Sequence, residues 1–175
     1  VLHPEEYKAD SWQLNEDQKL KSVKELKEEG NILFKREQWE QAVTKYEEAL
    51  GRLDTLVLRE KPGEPEWVEL DQQKVPLYLN LAQCFLNLRR FYDAVQTTDE
   101  ALNRQPDSEK GLFRRAQAHL GAWNFSEARA DLRRLLELHP EKAALVRREQ
   151  TRLEAAEKAK AEEEADRYRN MLKRD

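Results

Sequence analysis

Lys27 and Asn31 lie four residues apart, Lys110 and Arg114 repeat that spacing, and Asn80 falls between the two pairs. Side chains four apart share one face of a helix. Two ammonium groups, a guanidinium and two carboxamides are all hydrogen-bond donors, and the three cations make the charge-assisted kind. The competing interpretation is ordinary solvated charge, since 38% of the chain is Asp, Glu, Lys or Arg. Nothing beside them is suited to covalent or hydrolytic chemistry. The chain has no nucleophile motif, no glycine-rich phosphate loop and no pair of metal ligands at helical spacing. Three scattered histidines make a poor zinc site, and the single Cys84 cannot form an internal disulfide. His119 and Cys84 read as packing residues. The expectation is no catalytic residue, no metal and no cofactor.

The elements that must carry these donors follow from composition. The 175 residues hold 31 Lys+Arg against 35 Asp+Glu, only 5 Gly and 6 Pro, and abundant Ala, Leu, Glu, Lys, Arg and Gln. Such a chain is predominantly helical and long enough for one compact or elongated domain. A formal charge of −4 argues against a nucleic-acid surface, and no apolar run is long enough to span a bilayer. The expectation is a soluble cytoplasmic protein, with the nucleus as a second compartment.

A period of 34 residues organises the helices. Windows 23–56, 75–108 and 109–142 align Gly30, Ala82 and Ala116 in the eighth column and Ala42, Ala94 and Ala128 in the twentieth. Trp39, Phe91 and Phe125 share the seventeenth column; Leu26, Tyr78 and Leu112 share the fourth. The twenty-seventh holds Ala49, Ala101 and Leu135, and the thirty-second Asp54, Pro106 and Pro140. Two helices joined by a tight turn approach closely only where small residues mark their crossing. The aromatic opens the second helix and fills the space beside them, and proline stops it. Each hairpin leaves an apolar face for the next, which implies a right-handed superhelix with a concave groove lined by the first helix of each repeat. The five donors sit on those first helices. Two columns depart from the pattern, with Glu29, Leu81 and Arg115 in the seventh and His119 beside Leu33 and Phe85 in the eleventh.

Outside the repeats, Asn15 caps the first helix with Gln18 as its capping-box partner. Residues 57–74 are an insertion in which Pro62-Gly63 turns the chain and Pro65 opens a helical stretch. The helices on either side should be lengthened around a short loop, with Pro76 starting or kinking the second. From Glu141 to about Lys173 there is neither Pro nor Gly, which predicts one long helix whose start, through Leu145, Val146 and Leu153, caps the third repeat. The opening Val1-Leu2-His3-Pro4 reads as a strand end running into a linker, so residues 1–14 are expected to join an upstream domain. Trp12 and Trp67 are left undecided between packing and partner contact.

The columns are identified as the tetratricopeptide pattern. Lys27-Glu28-Glu29-Gly30-Asn31, Leu79-Asn80-Leu81-Ala82 and Lys110-Gly111-Leu112-Phe113-Arg114 resemble the two-carboxylate clamp of co-chaperone tetratricopeptide domains. That resemblance implies a ligand, the terminal Glu-Glu-Val-Asp of heat-shock protein 90, with heat-shock protein 70 as a second partner. Lys27, Asn31 and Asn80 would hold one carboxylate of the final Asp, and Lys110 and Arg114 the neighbouring carboxylate and peptide backbone. An unrelated peptide or client in the same groove is the alternative. Asp10-Ser11-Trp12, Glu16-Asp17-Gln18-Lys19-Leu20, Glu109 to Arg115 and Tyr168 to Leu172 look like the C-terminal half of a large FK506-binding-protein immunophilin. The insertion Lys61-Pro62-Gly63-Glu64-Pro65-Glu66-Trp67, with Trp123-Asn124, looks closer to the related aryl-hydrocarbon-receptor-interacting branch. Both branches imply a prolyl-isomerase-like domain ahead of the repeats, with these residues themselves catalytically inert. The immunophilin resemblance also implies a calmodulin-binding segment, to which Arg167 to Arg174 is a poor match.

Overall fold

The computed structural model describes residues 15–174, all of whose regular structure is helical. The order is α1 (Glu16–Lys35), α2 (Trp39–Val57), α3 (Pro65–Gln72), α4 (Lys74–Asn87), α5 (Phe91–Arg104), α6 (Glu109–Gly121), α7 (Phe125–Leu138), a 3-10 turn (Pro140–Lys142) and α8 (Ala143–Leu172). The expected linker over residues 1–14, including Trp12, lies outside the described residues. The chain divides into two compact units, one up to Leu88 and one from Arg89.

In the first unit α1 starts on a capping box. Asn15 Oδ1 accepts from the Gln18 amide at 2.8 Å, and Gln18 Oε1 accepts from the Asn15 amide at 3.1 Å. Phe34 and Trp39 meet edge to face, 4.9 Å between centroids, where α1 turns into α2. Ala42, Ala49 and Leu53 of α2 are fully buried, and α2 packs on α1 and α4. A Cβ on Gly30 would stand 2.7 Å from the Tyr46 ring, so this hairpin needs glycine where the other two carry Ala82 and Ala116.

The insertion differs from the expectation in one respect. α2 is lengthened to Val57, but residues 65–72 form their own helix and Gln73 separates it from α4. Pro76 explains the break: it has no N–H for the Gln72 carbonyl, and its ring crowds that oxygen. Buried Lys74 ties the corner, its Nζ 2.6 Å from Asp54 of α2 and 3.4 Å from Asp71 of α3.

In the second unit Leu102, Leu112, Ala116, Ala128, Leu132, Leu135, Val146 and Leu153 form one core. The last two come from α8, so the start of that helix closes the apolar face of α7. Instead of running unbroken from Glu141, the chain first makes a 3-10 turn at Pro140–Lys142, because Pro140 fixes its own φ two residues after α7 ends. From residue 161 onward every described residue of α8 is exposed.

One backbone feature repeats with the sequence. Glu37, Arg89 and Trp123 occupy the fifteenth column of the three windows and all adopt left-handed φ, 59°, 59° and 61°. A non-glycine residue there costs roughly 1–2 kcal/mol. In each case Trp39, Phe91 or Phe125 begins the next helix two residues later.

Candidate functional site

Lys27 and Asn31 are half-buried on α1, one helical turn apart. Asn80 is half-buried on α4, and the first unit brings it against Asn31, with Asn80 Nδ2 donating to Asn31 Oδ1 at 3.3 Å. The Tyr46 hydroxyl, from α2, donates to the same oxygen at 2.6 Å. Tyr46 is 1% exposed. Burial, with Cys84 nearby, pushes its phenol up to about 12, although a hydrogen bond from Asn80 works the other way. Three helices are therefore joined by one neutral network, and sequence reasoning named two of its members but missed Tyr46. The two other repeats place Thr98 and Leu132 in that column, so no repeated chemistry marked it.

In the second unit Lys110 is exposed and Arg114 half-buried, both on α6. Ser108 caps this helix by accepting from the Gly111 amide at 3.1 Å, which sets Lys110 in the first turn. A Cβ on Gly111 would come within 2.9 Å of Leu102, so glycine beside Lys110 lets α6 lie close on α5. Arg115, which shares the seventh column with Glu29 and Leu81, makes an ionic network. Its guanidinium grips Asp131 of α7 through two bonds of 2.8 and 2.7 Å, and Asp99 of α5 at 2.8 Å. These partners, chiefly Asp131, hold it even more firmly charged than usual. His119 lies 4.0 Å from Asp131, its imidazole pushed below the usual range mainly by burial while Asp131 pulls it up. It is a packing side chain bordering an ion network.

Among the described residues, Glu109, His139 and Glu141 bring ligand atoms within 4.8 Å of one another. Lys142 Nζ stands 3.1 Å from Glu109, and Glu141 is 3.3 Å from His139 Nδ1. Glu109 thus already faces an ammonium group, which does not favour a metal ion. A cleft of about 310 Å³ opens between the α6–α7 turn and the start of α5, lined by Phe91, Tyr92, Gly121 and Trp123, among others. Lys160 of α8 lies 3.7 Å above the Trp123 ring. No helix of the described residues is long and apolar enough to cross a membrane.

Helical hairpins with small residues at their crossings and an aromatic at each second-helix start define a tetratricopeptide scaffold. The family model for the tetratricopeptide repeat matches residues 77–108. The aryl-hydrocarbon-interacting protein-like 1 of Mus musculus is 40% identical over 172 residues, covering 98% of this chain and 52% of that protein. The chain thus spans about half the length of the curated relatives it matches. Among solved structures, the C-terminal tetratricopeptide domain of a Plasmodium falciparum FK506-binding protein superposes with TM-score 0.72 at 21% identity, over 87% of this chain and 99% of that one. The first tetratricopeptide domain of Spaghetti (RPAP3), bound to the heat-shock protein 90 peptide SRMEEVD, gives 0.59 at 23% identity, over 81% and 94%. The chain is a tetratricopeptide-repeat domain with an all-α fold. It is homologous to the aryl-hydrocarbon-interacting protein-like 1 proteins, and its fold resembles the C-terminal domain of FK506-binding-type immunophilins.

Proposed function

We propose that this domain is a co-chaperone adaptor that captures the C-terminal Glu-Glu-Val-Asp peptide of heat-shock protein 90, with heat-shock protein 70 as a second ligand. Lys27, Asn31 and Asn80 hold one carboxylate of the terminal Asp. Lys110 and Arg114 hold its neighbour and the peptide backbone. The observation that carries this reading is the pinned Asn31–Asn80 pair of half-buried amides, one turn from Lys27. The peptide held by the structural neighbour Spaghetti ends in the same four residues, which supports it further. In a protein of its relatives' length, the domain would deliver a prolyl-isomerase-type partner domain to the chaperone in the cytoplasm.

Charge-assisted hydrogen bonds contribute about 1.5–3 kcal/mol each, and 1.4 kcal/mol is about tenfold in affinity. Calorimetric titration with a Glu-Glu-Val-Asp peptide should show Lys110→Ala or Arg114→Ala binding roughly 10–100-fold more weakly than wild type. Amidating the peptide's C-terminus should remove most of the affinity, and added salt should lower it. Equal affinities for free and amidated peptide would instead mean that the groove takes an unrelated internal segment.

A further inference from the structure

Resting on that reading, we propose that Tyr46 is a positioning residue, whose hydroxyl fixes the Asn31 carboxamide so that its N–H groups, not its carbonyl, are presented to the ligand carboxylate. A carboxamide has one oxygen with two lone pairs and one nitrogen with two hydrogens, and a half-turn of its terminal torsion exchanges them. Only the N–H end can bind an anion. An amide free to turn would spend part of its time offering a carbonyl to a carboxylate, which repels it.

Here the choice is made by the neighbours. Asn31 Oδ1 accepts from the Tyr46 hydroxyl at 2.6 Å and from Asn80 Nδ2 at 3.3 Å, so both lone pairs are used. Turning the amide would set its nitrogen against the Asn80 nitrogen, donor against donor. Of the two contacts the tyrosine's is the shorter, and its hydroxyl comes from a ring that cannot move. The ring is fully buried, and Gly30, the residue before Asn31, leaves no room for a Cβ beneath it. The hairpin does not need a phenol at this place, because Thr98 and Leu132 fill the equivalent column and are equally buried. The hydroxyl therefore serves Asn31 rather than the packing. A phenol is protonated throughout the neutral range, and burial holds this one still further from ionising.

The test is a double-mutant cycle of Tyr46→Phe and Asn31→Ala, read by calorimetric titration with a free-acid Glu-Glu-Val-Asp peptide. Tyr46→Phe should weaken the peptide roughly tenfold in the Asn31 background. It should cost nothing further once Asn31→Ala has removed the amide it orients. A merely structural role would give the same loss in both backgrounds, and that result, or no loss in either, overturns the proposal while leaving the clamp standing. Failure of wild type to bind the free-acid peptide overturns the clamp and this proposal together. Should Tyr46→Phe not fold, wild type still decides by nuclear magnetic resonance. Peptide must shift the Asn31 Nδ2 nitrogen and its protons more than the side-chain carbonyl carbon, and the reverse pattern refutes the orientation.

Discussion

Around Asn31 in the first unit and around Arg115 in the second, three helices are joined by networks of opposite chemistry. In the first, α1, α2 and α4 are joined through Tyr46, Asn31 and Asn80, all uncharged. In the second, α5, α6 and α7 are joined through Asp99, Arg115 and Asp131. The neutral network spends the Asn31 oxygen and none of that carboxamide's own N–H groups. The ionic network consumes its cation between two carboxylates, so Arg115 has little left for a ligand although it adjoins Arg114 in sequence. The lesson is that a cation's availability depends on its partners and not on its place in a repeat.

That contrast can be broken or sharpened by substitution. The largest effect should be Arg115→Ala, which leaves the Asp131 carboxylate, 5% exposed, without its counter-charge; thermal and urea unfolding should show a loss of roughly 2–4 kcal/mol. Next, Asp131→Asn should cost about 1.5–3 kcal/mol, whereas Asp99→Asn, at a carboxylate 47% exposed, should cost less than about 1 kcal/mol. If the two were equal, the buried arm of the network would not be the stronger one. Tyr46→Phe should lower stability by only about 0.5–1.5 kcal/mol, because the ring still packs and one neutral hydrogen bond is lost. A larger loss than for Arg115→Ala would reverse the comparison.

The smallest effect is a pH dependence confined to the second unit. His119 is held below its ordinary 6.5 by burial, against the pull of Asp131, while Arg115 repels its proton. The unfolded chain takes up that proton near pH 6.5 while the folded unit resists it until lower pH, so stability declines as pH falls through and below 6.5. Stability of wild type minus His119→Gln, measured between about pH 7.5 and 5.5, should shrink toward acid; a flat difference would exclude His119 as the cause.

Much of the fold was legible because a single period fixed so many residues. The aromatic column opens α2, α5 and α7 to the residue, and the small columns are buried where helices cross. What escaped depended on contacts between columns. Tyr46 meets Asn31 and Asn80 only after three helices are in register, and no alignment of windows predicts that meeting. Arg115 stood in an irregular column beside Glu29 and Leu81, which says nothing of its partners Asp99 and Asp131, one helix to either side. The separate α3 was announced by Pro76, yet the break falls at Gln73 because the penalty acts on the carbonyl four residues earlier. The five donors lie where the period puts them, on α1, α4 and α6.

The far part of α8 has no neighbour to lean on. Residues 161–172 extend about 18 Å at 1.5 Å per residue, with no side chain tucked away. A segment that short is marginally helical alone, so its order is borrowed from the turns anchored at Val146 and Leu153 and decays with distance from them. Amide exchange should therefore quicken steadily toward Leu172, like a rope stiff only near its knot.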